Sequence, residues 1–180
     1  MRCLSTLSLA SAACALLLAD AASAQVRQAE RLRGGNENPP VITDGTGNFR
    51  AERIGDQIEF RVRYDLSSTA SEDENDVTQA HLHIGNPGTN GGIVVFLCSN
   101  LDNEPDGVTS RECPPSPGVV EDVIVADDVI ELVVDNATVI EAGDLDGLFR
   151  LMTQGAVYAN AHSNDHPAGE VRGQVRPRIR

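Results

Sequence analysis

The sequence predicts an all-β protein, an antiparallel β-sandwich or flattened barrel of about eight short strands with one short α-helix. The strongest observation is the segment 56–66, in which apolar and charged residues alternate with the period of a half-buried strand. Further short runs rich in Val, Ile and Leu follow, separated by turns rich in Gly, Pro and Asn. A 3.6-residue apolar period marks one segment, 144–154, so a single helix is expected.

The first two predicted strands form a hairpin. A turn at 44–47 leads into 48–54, and this segment is expected to pair with 56–66 across Gly55 and Asp56. The acidic stretch 67–76 lacks an apolar period and is predicted to be an exposed loop. The remaining predicted strands are 78–84, 93–97, 119–125, 129–134, 139–140, 157–162 and 170–176.

The predicted helix lies late in the chain, between two of these strands. Its apolar residues occur at i, i+3, i+4 and i+7, and they are Leu145, Leu148, Phe149 and Met152. Asp144 is placed to cap the start and Gly155 to end the helix. These apolar side chains are expected to pack in the core.

The first 24 residues have the pattern of a signal peptide. Arg2 precedes an apolar run over 4–19, and the small residues 22–24 form a cleavage site that ends at Ala24. The alternative is a lipoprotein signal at Cys14, but the apolar run continues beyond that cysteine. We therefore expect a single exported domain, residues 25–180, that is secreted or periplasmic.

Composition excludes several classes of partner. The formal net charge is −13, and all 14 basic residues are arginine, so a Walker A lysine is absent. Such a charge opposes binding to nucleic acid and to anionic membranes, and a chain without Trp and with two Tyr lacks stacking platforms for bases. No segment after the signal is apolar enough to predict a membrane span.

Two cysteines, Cys98 and Cys113, remain after removal of the predicted signal peptide. An even number of cysteines in an exported protein predicts a disulfide, with two free thiols as the alternative. The bridge would close a loop rich in proline and would stabilise the fold by roughly 3 kcal/mol.

Four motifs in register resemble the chordin-type domain family, CHRD. They are 36–40 (NENPP), 80–85 (AHLHIG), 158–162 (YANAH) and 167–174 (PAGEVRGQ). The resemblance covers residues 32–176. It implies an extracellular domain that occurs alone in many bacterial proteins, and it implies no established catalytic activity.

The histidines predict a possible metal site. His81 and His83 alternate on one strand, so their side chains share a face about 6.6 to 6.8 Å apart along the backbone. With His162 from another strand they could hold copper or zinc. The H-x-H pattern is also similar to the copper site of Cu/Zn superoxide dismutases. Asp165, Asn160 and Glu170 are candidate acceptors around these ligands.

The alternative role for the histidines is structural. In that case His81 and His83 bond to loop backbone on an outer sheet face, and His162 shares a polar network with Arg172. This interpretation favours a non-enzymatic binding module, without a cofactor, whose loops contact an unknown extracellular protein or surface ligand. The second hypothesis is a metal-binding protein with redox activity.

Overall fold

The computed structural model describes residues 30–66 and 76–177. The predicted signal peptide, residues 1–24, and all but the last residue of the predicted acidic loop lie outside the described residues. Within the described part, no helix is both long and apolar enough to span a membrane. The strands are β1 (Glu30–Arg33), β2 (Thr46–Ile54), β3 (Gln57–Asp65), β4 (Val77–Ile84), β5 (Gly92–Ser99), β6 (Gly118–Ile124), β7 (Leu132–Val134), β8 (Ala137–Ile140), β9 (Val157–Ser163) and β10 (Val171–Val175), and helix α1 is Leu145–Thr153.

Eight strands form one antiparallel sheet in the order β5-β4-β9-β10-β1-β2-β3-β6. The sheet curls into a nearly closed barrel, with β5 and β6 as its two edges. The predicted all-β fold with one short helix is therefore confirmed. Strands β4, β9 and β10 are consecutive neighbours in this order, although β4 and β9 are far apart in the chain.

The predicted hairpin and helix form as the sequence indicates. Strands β2 and β3 pair from Thr46 opposite Asp65 to Ile54 opposite Gln57, which fixes every apolar residue of β3 on the inner face. At the start of α1, a side-chain oxygen of Asp144 accepts a hydrogen bond from the backbone N–H of Gly147 at 2.8 Å. That bond is the expected N-terminal cap.

Two parts of the fold differ from the prediction. The predicted strand 129–134 is reduced to β7, which pairs with β8 in a separate two-stranded sheet. Asp135 and Asn136 both have positive φ values, 52° and 62°, which suit the tight turn of a two-residue hairpin. Strand β1 was not predicted, because four residues with Leu32 as the one apolar member give no measurable alternation.

The apolar core fills the inside of the curved sheet and is closed by α1. Every second residue of the strands points inward, and the fully enclosed side chains include Leu32, Phe49, Ile58, Val62, Leu82, Leu97, Leu148 and Met152. On β4, β9 and β10 the outward side chains are buried as well, because loops cover this part of the outer surface. A polar layer is thereby enclosed on the outer face.

A disulfide fastens the proline-rich segment to the edge of the sheet. The sulfur atoms of Cys98 and Cys113 lie 2.03 Å apart, and both residues are buried. Beside them, Asn100 Nδ2 donates to the carbonyl oxygens of Val77 at 2.7 Å and of Cys113 at 3.1 Å. The segment after β5 is thus held to β5 by the covalent bond and to β4 by a hydrogen bond.

Candidate metal centre

The buried polar layer lies on the outer face of β4, β9 and β10. Because side chains alternate along a strand, residues two apart share this face. The members of the layer are Gln79, His81 and His83 on β4, Tyr158, Asn160 and His162 on β9, and Arg172 and Gln174 on β10. All of them are less than a tenth exposed, so each polar atom needs a partner within the protein.

Three histidines of this layer converge. One ring nitrogen each of His81, His83 and His162 lies within 4.8 Å of the other two. The closest pair is His81 Nδ1 and His162 Nε2, which are 3.2 Å apart. The strand register explains this geometry, because Gln79 stands opposite His162 and His83 opposite Tyr158, which leaves His162 diagonal to His81.

Aromatic and guanidinium groups surround the imidazoles. Phe96 of β5 packs edge-on against His81 at 4.6 Å between ring centroids. Tyr158 stacks on His83, and the Arg172 guanidinium lies 3.4 Å from the centroid of the Tyr158 ring. These contacts fix the ring planes and exclude water from the cluster.

Hydrogen bonds to the backbone select the ring nitrogens that can bind a ligand. His162 Nδ1 lies 3.0 Å from the carbonyl oxygen of Pro167, so Nδ1 carries the proton and Nε2 presents its lone pair to His81. His83 Nδ1 likewise lies 3.0 Å from the carbonyl oxygen of Gly91. Its Nε2 lies 3.1 Å from Asn160 Oδ1, which is also an acceptor, so in the neutral ring one of these two nitrogens donates and the other does not.

Burial keeps all three imidazoles neutral. It strongly lowers the pKa of His81, and the charges of His162 and His83 lower it further. Burial also lowers the pKa of His83 to about 4, against a smaller opposing effect of the bond to Gly91. The pKa of His162 is lowered by burial too, although its bond to Pro167 opposes the shift. Neutral imidazole is the form that coordinates metals.

One ring nitrogen has no partner. Among the described residues, no hydrogen-bond partner exists for His81 Nε2, which is buried. A buried polar atom without a partner destabilises the folded state by roughly 1 to 3 kcal/mol, so its presence requires an explanation. An ion would supply one if it bound His81 through Nε2 instead of through Nδ1, the atom nearest His162.

Of the other residues predicted from the sequence, some contact the histidine cluster and others do not. Leu82 points into the core, as expected for the residue between His81 and His83. Asn160 contacts His83, whereas an Oε1 atom of Glu170 accepts a bond from Thr43 at 2.7 Å. Arg172 shares the polar layer with His162 but makes its ring contact with Tyr158.

Sequence analysis did not identify four groups around the cluster: Tyr158, Phe96 and the carbonyl groups of Gly91 and Pro167. The strand period could have found Tyr158, since residues 158, 160 and 162 share one face. Phe96 and the carbonyls could not be found in this way. They reach the cluster through the pairing of β5 with β4 and through loop conformation.

These features define a small all-β domain with a buried cluster of three neutral imidazoles on the outer face of its sheet. The chain matches the family model of the CHRD domain over residues 29–175, most of its length, and it belongs to the CHRD domain family. CHRD domains are typically extracellular, and membership suggests an interaction module. Comparison with curated proteins and with solved structures finds no match.

Proposed function

We propose that this CHRD protein binds one copper or zinc ion through His81, His83 and His162. The observation that carries the proposal is the convergence of their ring nitrogens within 4.8 Å of one another. Around a tetrahedral ion with nitrogen ligands at about 2.0 to 2.1 Å, ligand atoms lie about 3.3 Å apart. Small ring rotations are therefore enough to bring the three nitrogens onto one ion.

The surroundings support metal binding at the same position. Neutral rings need not lose a proton to coordinate, and the bond of His162 Nδ1 to the Pro167 carbonyl orients its free Nε2 as outer partners of metal ligands commonly do. Imidazole ligands suit both copper and zinc. The chemistry that a bound ion would supply is Lewis acidity in the case of zinc or one-electron transfer in the case of copper.

Metal analysis of protein purified without a histidine tag tests this proposal. We expect close to one ion per chain after incubation with copper or zinc and dialysis, together with a rise in melting temperature. His162→Gln should abolish both effects. His166→Gln is the matched control, since His166 stands four residues further on and outside the cluster. Equal metal content in the two variants would refute the proposal.

A second role follows from the family. We infer that the domain acts outside the cytoplasm as an interaction module for an extracellular protein or surface ligand. Its CHRD membership and its disulfide support this inference. Intact-mass measurement of protein recovered from the native exterior should show an amino terminus at Gln25. Cross-linking in that location should capture a specific partner, and recovery of the unprocessed chain from the cytoplasm would contradict export.

A further inference from the structure

A cavity of about 380 Å³ opens at the polar layer, where Arg172 and Gln174 of β10 line it. It lies between the loops 34–40 and 86–90, which are tied together where Asn90 Nδ2 donates to the carbonyl oxygen of Asn38 at 2.8 Å. The residues that line it include Asn36, Glu37, Pro87, Arg172, Gln174 and Arg176. The hydrogen bond between the two loops fixes the position of the cavity walls.

Arg172 forms the floor of the cavity with its donors only partly used. Its Nη2 donates to the carbonyl oxygens of Thr89 at 2.7 Å and Asn86 at 3.4 Å, and its Nη1 donates to Asn90 Oδ1 at 3.4 Å. A guanidinium has five N–H groups, so two remain without an acceptor in the described part of the chain. All three acceptors are uncharged.

The Arg172 charge also lacks a counterion. The residue is 2% exposed, and within 30–66 and 76–177 no carboxylate forms an ion pair with it. The acidic group that lines the same cavity is Glu37, which is 8% exposed and whose Oε1 has no hydrogen-bond partner among the described residues. A buried charge without a counterion is costly, and an anion from solvent would remove this cost.

We propose that this cavity binds a small oxyanion, a carboxylate or phosphate group held by Arg172 and Arg176. Arg172 supplies a rigid pair of donors at the floor, and the exposed Arg176 supplies a second positive charge at the opening. Planar guanidinium groups match the geometry of both oxyanions. The site is distinct from the histidine cluster, because Tyr158 lies between Arg172 and His83.

Glu37 makes the binding depend on pH. Burial raises its pKa to about 7, although the charge of Arg172 opposes the shift. The charged and titratable groups beside it are Arg172 from β10 and Tyr158 from β9, and Arg176 lines the same cavity. Below pH 7 the neutral acid can donate a hydrogen bond to an anion, and above pH 7 the carboxylate repels it. Oxyanion affinity should therefore fall as the pH rises through 7.

Titration calorimetry with sodium acetate and with inorganic phosphate, at constant ionic strength in sodium chloride, tests the site. We expect saturable binding of at least one of the two, and the two arms distinguish a carboxylate ligand from a phosphate ligand. Arg176→Gln should weaken binding roughly tenfold, as expected for a lost charged contact. Arg63→Gln, in a separate cavity beside Arg31 and Asp65, is the control and should leave the affinity unchanged. Heats that do not exceed those of chloride for either salt would overturn the proposal.

The pH arm uses acetate, which stays ionised between pH 6 and pH 8. If the neutral form of Glu37 is the competent one, the affinity should drop by up to about tenfold over this range. Glu37→Gln, which keeps a neutral donor at every pH, should remove the drop and retain the stronger binding at pH 8. A variant that binds acetate as weakly at pH 8 as the wild type would overturn this role for Glu37. His162→Gln should leave acetate binding intact, so the metal and anion proposals can fail separately.

Discussion

The imidazole of His83 lies flat against the phenol ring of Tyr158, with ring centroids 4.6 Å apart and planes within 1° of parallel. The Arg172 guanidinium packs 3.4 Å from the centroid of the same ring, and since one ring face accommodates one planar group, it covers the opposite face. A three-layer stack therefore connects the histidine cluster with the cavity beside β10. Within it, Tyr158 fixes the plane of His83.

Tyr158→Leu should weaken metal binding at the histidine cluster by roughly 10- to 100-fold, the range found when a partner that orients a metal ligand is lost. The reason is that His83 would lose the surface that sets its ring plane. Tyr158→Phe retains the ring and loses the hydroxyl contact with Gly91, so its affinity should stay near that of the wild type. Competition titration with a copper chelator measures both. Equal affinities for the Leu and Phe variants would show that the stack does not position His83.

The metal-free protein should lose stability in acid through His83. Its pKa is about 4 in the folded state and near 6.5 when unfolded, so between these values the unfolded chain binds a proton that the folded chain does not. The free energy of unfolding should therefore decrease as pH falls from 6.5 to 4, by about 1.4 kcal/mol per pH unit from this residue.

Urea unfolding in the presence of a chelator, repeated from pH 4 to pH 7, measures this slope. His83→Gln should reduce the slope by that amount, whereas Leu101→Ala, at an exposed position without a titrating group, should keep the wild-type slope. A His83→Gln protein with an unchanged slope would contradict the assignment of a neutral His83 in the folded state.

Leu82→Ala should destabilise the fold by about 2 to 5 kcal/mol, because Leu82 is fully buried on the core face of β4. Leu101→Ala removes the same atoms from a side chain that is 51% exposed and should have little effect. Urea titration at neutral pH compares the two. A small effect at position 82 would mean that Leu82 does not lie in the core, and therefore that His81 and His83 do not lie on the outer face of β4.

Replacing both cysteines, Cys98→Ser with Cys113→Ser, should lower the free energy of unfolding by roughly 3 kcal/mol, since the bridge closes a loop over a sequence separation of 15 residues. Reduction of the wild-type protein should reproduce the loss. Retention of full stability in the double variant would show that hydrogen bonds of Asn100 suffice to hold this segment.

Much of the sheet could be predicted because its strands bury one face and expose the other. The alternation in β3 is strict, and the apolar residues of α1 keep their helical spacing, so both elements were found within two residues of their ends. Strand β7 was placed too early in the chain. Val129 and Ile130 are apolar enough for a strand, but they directly follow the short 3-10 helix Ala126–Asp128 and lie outside any strand.

The strand period predicted that His81 and His83 share a face, but it did not predict that this face is buried. Residues 81 and 83 must share a face on any strand, but their approach to His162 depends on the pairing of β4 with β9. The pairing register of β4 and β9 cannot be predicted from the sequence of either strand alone. The cavity around Arg172 depends on loop conformation, where sequence patterns carry the least information.

The three histidines come from two strands that are far apart in the chain, and His81 and His162 are 81 positions apart. In an unfolded polypeptide these side chains are separated, so the ligand set comes into being when β9 docks on β4. An ion held by all three side chains would consequently bind only in the compartment where the domain folds. The identity of the bound metal would then depend on which metal ions that compartment contains, as well as on coordination chemistry.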